Sequence, residues 1–371
     1  MRKVKNNKGV TLVALVITII VLLILASVSI SLLFGQDGII TRAQDAARNW
    51  EEASKHEEDT LDILLSKIDK AEMGVADWSD NVSVIMTDEK IPVPLPEGFV
   101  NTDITNSINE GIVIEDEDDG NQFVWVSIRN TLFARKKWEN TWGFTLTSEE
   151  IKNGVWDEIE ELEYKKMVEK VGKYGGFYIG RYESSYKGGS SIADYEAYVK
   201  PSGSAKSAQG SYEIGQLWNW ISCNDAKSIS NKLYEDSEIV TSFLPWGINF
   251  DTTLQWLIYT GEKIELDMGE DSKNWGNFRN SALKGALGSS VIANTGEISA
   301  AQANNIYDLA GNIQELTQEK VNIDNLRVNG VVRGGGYTHE THINNASIRN
   351  NNSMTAENNA TGFRIYMYIK D

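Results

Sequence analysis

Few side chains in this 371-residue chain are equipped for covalent or metal chemistry. There is one cysteine, Cys223, and there are three histidines, His56, His339 and His342. A lone thiol makes no internal disulfide and no thiolate zinc site. Beside Trp218 and Trp220, Cys223 reads as a small buried hydrophobe rather than a nucleophile. His56 sits in the polar run EEASKHEEDT with no ligand at helical spacing. His339 and His342 are three apart with no third ligand, so they read as surface residues before they read as a metal pair. The acidic run EDEDDGN (115–121) lies between two alternating apolar segments and lacks the EF-hand ligand spacing. Its Asp-Gly fits a charged hairpin turn better than a calcium loop.

The segment YTHETHINNASIRNNNSMTAENNAT (337–361) offers a different chemistry, that of recognition. Asparagine suits turns and presents both donors and acceptors, and tyrosine supplies rigid contact area, a composition like that of an antibody paratope. The expected contact residues are Tyr337, His339, Glu340, Thr341, His342, Asn344, Asn345, Ser347, Asn350, Asn351, Asn352, Asn358 and Asn359.

These residues need a scaffold, and the chain from about 97 onward has the marks of one. Ten of the eleven tryptophans lie beyond residue 77. Short β-type runs, GIVIE (111–115), QFVWVSI (122–128) and GFYIGRYE (176–183), alternate with turn residues. Two helices are expected, one capped by Asn224 with Ala226, Ile229 and Leu233 on one face, another capped by Asp251 with Leu254, Leu257 and Ile258 inward. Large aromatics would fill the core that these short elements leave open. A hydrophobic content of 41 % is that of a globular chain. The net charge of −18 argues against nucleic acid, whose phosphates require a basic patch.

The N-terminus is set apart. Residues 1–9 hold Arg2, Lys3, Lys5 and Lys8 and no acid, and Val10 to Phe34 run for 25 positions without a charge. At about 1.5 Å per helical residue that run exceeds a bilayer core of roughly 30 Å, so 10–34 is expected to span the membrane once. The basic flank places the N-terminus in the cytoplasm and the domain outside, at the cell surface. Removing the four leader cations from −18 leaves −22 on the remainder. Ile39, Ala43, Ala47 and Trp50, then Leu61, Leu64, Leu65 and Ile68, repeat at helical spacing, giving a helical stalk over 35–70. Gly74 and Pro92, Pro94 and Pro96 mark 71–96 as a linker.

KGVTLVALVITIIVLLILA resembles the N-terminus of type IV prepilins and pseudopilins. That resemblance implies a leader over 1–9, cleavage between Gly9 and Val10 by a prepilin peptidase, and a retained helix that anchors the chain or joins other pilin-like subunits. Pilins usually carry Glu at the fifth mature position, where this chain has Ala14. An apolar filament interior penalises an unpaired charge, so losing that pairing group points to a tip subunit or a monomeric anchor.

FVWVSI, GGFYIGRYESS, LPWGINFDTTLQWL, NIYDLAGNIQELTQE, VVRGGGY and ATGFRIYMY occur in the order seen in the formylglycine-generating-enzyme family, a variant of the C-type-lectin-like fold. The implied fold class is α+β with much irregular structure, over 97–371. Gly334, Gly335 and Gly336 would permit backbone angles closed to other residues, and Arg364 would place a guanidinium fork on carbonyls or carboxylates. Active members oxidise a sulfatase cysteine with copper held by two cysteines. The matching positions here are Thr341 and Ala346, just before Arg349, so no copper and no catalytic residues are expected. The family's calcium site is matched by Asp308 and Glu315 with the carbonyls of Gly311 and Ile313, which implies a structural calcium ion, against a plain metal-free turn.

The placement of the Asn-rich segment between RGG and GFR also resembles the variable proteins of diversity-generating retroelements, where adenine-directed mutagenesis acts on Asn-type codons. The expectation is therefore a non-catalytic, surface-displayed adhesin or receptor-like protein that binds an unidentified protein or glycan. The alternatives are an enzyme of the formylglycine-generating, sulfatase-modifying type and a structural minor pilin.

Overall fold

The computed structural model describes residues 12–34, 48, 77–79, 81–129, 131, 133–138, 157–202, 209–285, 291–324 and 327–370. The chain divides into two compact units, 1–66 and 67–371. In the first, helix α1 spans Leu12–Phe34 and contains no charged residue in its first or last turn. Its side chains are described over 15–27, all of them exposed. Among the described residues no helix is long and apolar enough to cross a membrane. Leader 1–9, the Gly9–Val10 cleavage position and the stalk 35–70 lie outside the described residues, Arg48 apart.

The second unit starts earlier than the sequence suggests. Where a linker is expected to run to residue 96, strands β1 (Val82–Met86) and β2 (Pro92–Pro96) form an antiparallel hairpin. Val82, Ile85 and Val93 are buried in the main core, so this part of the expected linker belongs to the folded unit. Prolines alternate along β2 at positions paired with Val82, Val84 and Met86. A two-stranded ribbon tolerates them because they need not donate to a further strand.

Six strands make the central sheet: β3 (Phe99–Asn101), β4 (Val113–Asp116), β5 (Gln122–Ser127), β6 (Gly176–Gly180), β9 (Val240–Phe243) and β16 (Tyr366–Ile369), in the order β3-β4-β5-β6-β16-β9. β4 and β5 pair antiparallel around residues 117–121, so the acidic run is the hairpin turn its Asp-Gly suggests. Asp116 closes that turn by accepting from the N–H groups of Asp119, Gly120 and Asn121. Both faces of the sheet are buried. Phe123, Trp125, Tyr178, Met367 and Ile369 face one core and Val124, Val126, Phe177, Ile179 and Tyr366 the other, which explains the unbroken apolar runs in these strands.

Among the described residues, three helices of eight or more residues cover the sheet: α2 (Glu158–Tyr174), α3 (Cys223–Lys232) and α4 (Gly247–Tyr259), with a single-turn α5 (Glu265–Met268). The sequence reading does not anticipate α2, although Asp157 and Glu160 form a capping box and Gly175 closes it at φ 78°. Both expected caps are displaced. Ser222, not Asn224, accepts from the N–H of Asp225, and α4 begins four residues before Asp251, with the Asn249 side chain accepting from the N–H of Trp246. Asp251 is withheld from capping because its carboxylate is engaged by arginines inside the domain.

β7 (Ser185–Gly188) pairs with β8 (Glu196–Tyr198), and β10 (Gln302–Ala303) with β11 (Ile306–Tyr307), each as a separate two-stranded ribbon, while β12 (Gln314–Asp324), β13 (Arg327–Arg333), β14 (Asn350–Ser353) and β15 (Thr361–Gly362) form a further sheet. A four-stranded sheet runs β14-β13-β12-β15. Between the pairs Leu316↔Val332 and Lys320↔Gly330, Thr317, Gln318 and Glu319 stand opposite the single Val331. This bulge turns Gln318 and Glu319 out of the ladder. Mixed helix and sheet with long irregular connections is thus the α+β architecture expected for this region.

Candidate functional site

The Asn-rich segment leaves β13 at Arg333 and returns at Arg364, and both arginines are fully buried. Arg364 donates from Nε and Nη2 to Glu315 Oε1 at 2.8 and 2.6 Å, and to the carbonyls of Gly180 and Tyr307 at 3.0 and 2.8 Å. The fork thus serves one carboxylate and two carbonyls, as its geometry favours. Arg333 donates from Nη2 to Asp251 Oδ1 at 2.6 Å and stacks on Phe250. Gly334 and Gly335 have φ values of 81° and 75°, and a Cβ on Gly335 would stand 2.7 Å from the Asn344 carbonyl. Gly336 has no positive φ, so only two of the three glycines are required by backbone angle.

Between these clamps a second buried pairing intervenes. Arg349 donates to Glu319 Oε1 from Nε at 2.9 Å and also from Nη2. Arg135 bridges Glu319 and Asp251, with Nη2 2.8 Å from Glu319 Oε1 and Nε 2.8 Å from Asp251 Oδ2. Trp138 Nε1 and the N–H of Lys136 complete Asp251. Burial alone would raise Asp251, but Arg333 and Arg135 hold it down to about 2. Burial opposes Glu319 likewise, and Arg135, Arg349 and Arg333 keep it below the usual carboxylate range.

The expected contact residues divide by this scaffold. Thr341, Asn344, Asn345 and Ser347 are buried and hydrogen-bonded within the domain: Thr341 with Asn280, Asn344 with Gln314, and Asn345 with Ser347. They are corrected from surface readers to internal struts, because the chain folds inward to seat Arg349. Tyr337 is likewise mostly buried, packed with Leu217, Ile292, Ile313 and Ala360. Exposed or half-exposed are His339, Glu340, His342, Asn350, Asn351, Asn352, Asn358 and Asn359. Glu340 pairs with Arg279 at 3.0 Å and faces His342 Nδ1 at 3.4 Å. His339 Nδ1 lies 2.9 Å from Thr338 Oγ1, and burial with Arg279 lowers its pKa. The two histidines therefore engage different partners.

Asn351 accepts from Asn329 Nδ2, Asn350 Oδ1 accepts from the N–H of Asn351, and Asn358 Oδ1 accepts from Thr361 Oγ1 and the N–H of Ala360. Asn350 and Asn358 thus fold back on the backbone and Asn351 is tied to Asn329, while the Nδ2 of Asn352 has no hydrogen-bond partner.

Asp308 and Glu315 are fully buried, and Glu183 joins them. Glu183 accepts from Asn312 Nδ2 and from the N–H of Ile313. Asp308 Oδ2 accepts from the N–H of Gly296 at 3.1 Å, while Asp308 Oδ1 and Glu315 Oε2 have no hydrogen-bond partner. Burial pushes Asp308 up to about 6 and raises Glu315 and, more strongly, Glu183. Three buried carboxylates against the single Arg364 leave negative charge that a proton or a hard cation would balance, and two orphaned oxygens suit a hard cation. Among the described residues no group of three or more His, Cys, Asp or Glu could hold a metal by itself. A cation here would need main-chain oxygens such as those of Gly311 and Ile313. Glu183 is missing from the sequence reading because it lies 125 residues before Asp308, and only its place in GRYESS hints at a role.

Cys223 is buried, its thiol 3.4 Å from the Thr317 carbonyl, and burial pushes its pKa up to about 12. Positions 341 and 346 are occupied by buried Thr and Ala.

Residues 257–369 match the family model described as the sulfatase-modifying factor enzyme 1-like domain. None of the curated proteins matches the chain. Among solved structures, the one titled Crystal Structure of CarF aligns at TM-score 0.35 and 14 % identity, covering 52 % of this chain and 87 % of that one. Treponema denticola variable protein 1 aligns at TM-score 0.31 and 10 % identity, covering 52 % and 95 %.

Proposed function

We propose that the chain is a non-catalytic, surface-displayed binding protein in which residues 337–361 are the recognition segment on a lectin-like scaffold. The observation that carries this reading is the contrast within that segment. Its ends and its middle are pinned by buried Arg333, Arg349 and Arg364, while His339, Glu340, His342, Asn350 and Asn359 reach solvent. A fixed frame with polar excursions permits side-chain exchange without unfolding, which a diversified binder needs and a packing loop does not. Diversification by a retroelement is part of the proposal. A nearby DNA copy of the segment differing only at adenines would support it. Replacing residues 337–361 with the corresponding segment of a relative, keeping Arg349, tests the function: a binder changes its captured ligand, whereas unchanged capture refutes the reading.

The anchor is proposed to be the apolar helix, cleaved after Gly9 by a prepilin peptidase and held in the cytoplasmic membrane with the domain outside. The partner is a protein or glycan ligand, with other pilin-like subunits as neighbours. Calcium is proposed at Asp308 and Glu315 with the carbonyls of Gly311 and Ile313, as a structural ion beneath the recognition segment. A melting temperature unchanged by calcium would remove it.

The family match favours a second reading, a sulfatase-modifying oxidase. It is disfavoured because a single cysteine cannot form the copper-binding pair. Copper-dependent oxidation of a sulfatase-type peptide by the purified chain would reverse that judgement.

A further inference from the structure

Trp220 is held in a backbone conformation that bulky side chains rarely adopt. Its φ is 57°, and of the other non-glycine residues at positive φ among the described ones, all are Asp or Asn except Lys90. Asp and Asn tolerate the left-handed region, whereas an aromatic residue there is strained. Two hydrogen bonds hold it in place: its N–H donates to the Asn358 carbonyl at 3.0 Å, and its carbonyl accepts from the Tyr212 hydroxyl at 2.8 Å. Core packing does not offset the strain. Trp220 is half-buried and belongs to none of the hydrophobic cores, and its indole makes no ring pairing and no hydrogen bond among the described residues. Strain that the fold maintains without a packing gain points to a functional side chain.

The surroundings of Trp220 are those of a docking surface. Asn219 Nδ2 donates to the Asn359 carbonyl at 2.7 Å, so residues 219 and 220 together carry the recognition segment at 358–359. On the other side, Tyr212 packs edge-on against Tyr195 at 5.8 Å and tilted against buried Trp218 at 5.6 Å. Ile214, two residues from Tyr212 in a turn closed by the Gln216 N–H on the Glu213 carbonyl, is 72 % exposed. Rigid aromatic groups beside exposed aliphatic ones are the composition of binding hot spots.

The charge at this place has one sign. Glu213 and Glu357 are exposed and form no ion pair among the described residues. Burial raises the Tyr212 hydroxyl, and the charge of Glu357 raises it further, as a carboxylate near the ring does. Apolar groups with an anionic rim complement a partner that offers an apolar side chain beside cations. A sugar ring carries no such cations.

We propose that Trp220, with Tyr212 and Ile214, is a fixed anchor of the binding surface, onto which a protein ligand docks an apolar side chain flanked by Lys or Arg that pair with Glu213 and Glu357. The inference rests on 337–361 being the recognition segment and names its partner as a basic protein surface. Because Trp220 lies outside that segment, the anchor stays constant while the segment varies.

The full chain in phosphatidylcholine nanodiscs, panned against random dodecapeptides displayed on phage after depletion on empty discs, tests the assignment. Fluorescence polarisation then gives the affinity of the selected peptides as synthetic probes. They should combine an apolar residue with Lys or Arg and bind at least about tenfold more weakly to Trp220→Asn, a residue type that accepts the left-handed backbone. Ile214→Ser should weaken them at least about threefold, and Glu213→Gln with Glu357→Gln should do likewise and flatten the salt dependence. Ile104→Ser, at an exposed isoleucine between β3 and β4, should change binding by less than about twofold. Circular dichroism checks the fold of each variant, and Ile214→Ser carries the test if Trp220→Asn does not fold. Selection of no peptide, peptides without a basic residue, undiminished binding to a folded anchor variant, or an equal loss in Ile104→Ser would each overturn the anchor. Exchange of 337–361 separates the two readings. Peptides that stay the same after the exchange refute the recognition segment and the anchor's partnership with it, whereas peptides that change but ignore Trp220→Asn refute the anchor alone.

Discussion

Asp251→Asn probes the frame that carries the recognition segment. In the native domain Asp251 takes Arg333 at 2.6 Å and Arg135 at 2.8 Å, in a cluster where three guanidiniums meet two carboxylates. Asparagine keeps the shape but leaves three buried cations against Glu319 alone. Two independent routes give the size of the loss. The carboxyl falls from 3.8 to about 2 on folding, which at about 1.4 kcal/mol per pK unit corresponds to about 2–3 kcal/mol. Breaking a buried ion pair from one side costs about 3–5 kcal/mol. Because the folded pKa is depressed, the linked stability is fully present above about pH 4 and is lost as pH falls through about 2. Urea unfolding of native chain and variant from pH 7 to pH 2 is the measurement. The difference between them should be about 3 kcal/mol at neutral pH and should shrink toward pH 2. A difference below about 1 kcal/mol, or one independent of pH, would falsify the account of Asp251 as the ionised centre of the cluster.

Three further outcomes follow from the same structure. Arg364→Lys keeps the charge but loses the fork that serves Glu315, Gly180 and Tyr307 together, so the melting curve should report a loss of about 2–4 kcal/mol. A variant as stable as the native chain would show that the charge alone suffices. Gly335→Ala meets a φ of 75° and a contact of 2.7 Å with the Asn344 carbonyl, and should cost at least about 1–3 kcal/mol by denaturant titration. The Cys223 thiol, raised to about 12 by burial, should resist iodoacetamide at pH 8 in the folded chain and react once urea unfolds it. Rapid native labelling would contradict the packing around α3.

Much of the scaffold was legible because its signals are local. The runs FVWVSI and GFYIG announce buried strands, Asp-Gly announces the β4–β5 hairpin, and Gly334 and Gly335 announce left-handed backbone where the structure has it. Signals that depend on distant partners were misread. Asp251 looks like a helix cap until Arg135 and Arg333 arrive from residues 116 positions before and 82 after it. The proline-rich stretch 92–96 looks like a linker until β1 pairs with it.

The sequence by itself determined the chain's chemical limits. One cysteine leaves no copper-binding pair, the uncharged run 10–34 is separate from an acidic body, and the asparagines concentrate between two arginine motifs. Only the tertiary structure decided which asparagines are available. Asn344 and Asn345 share their residue type with Asn350 and Asn359, and composition cannot tell them apart. The inward turn that seats Arg349 on Glu319 buries the first pair and leaves the second accessible. Exposure is a property of the packed chain, set by ion pairs formed across long sequence separations.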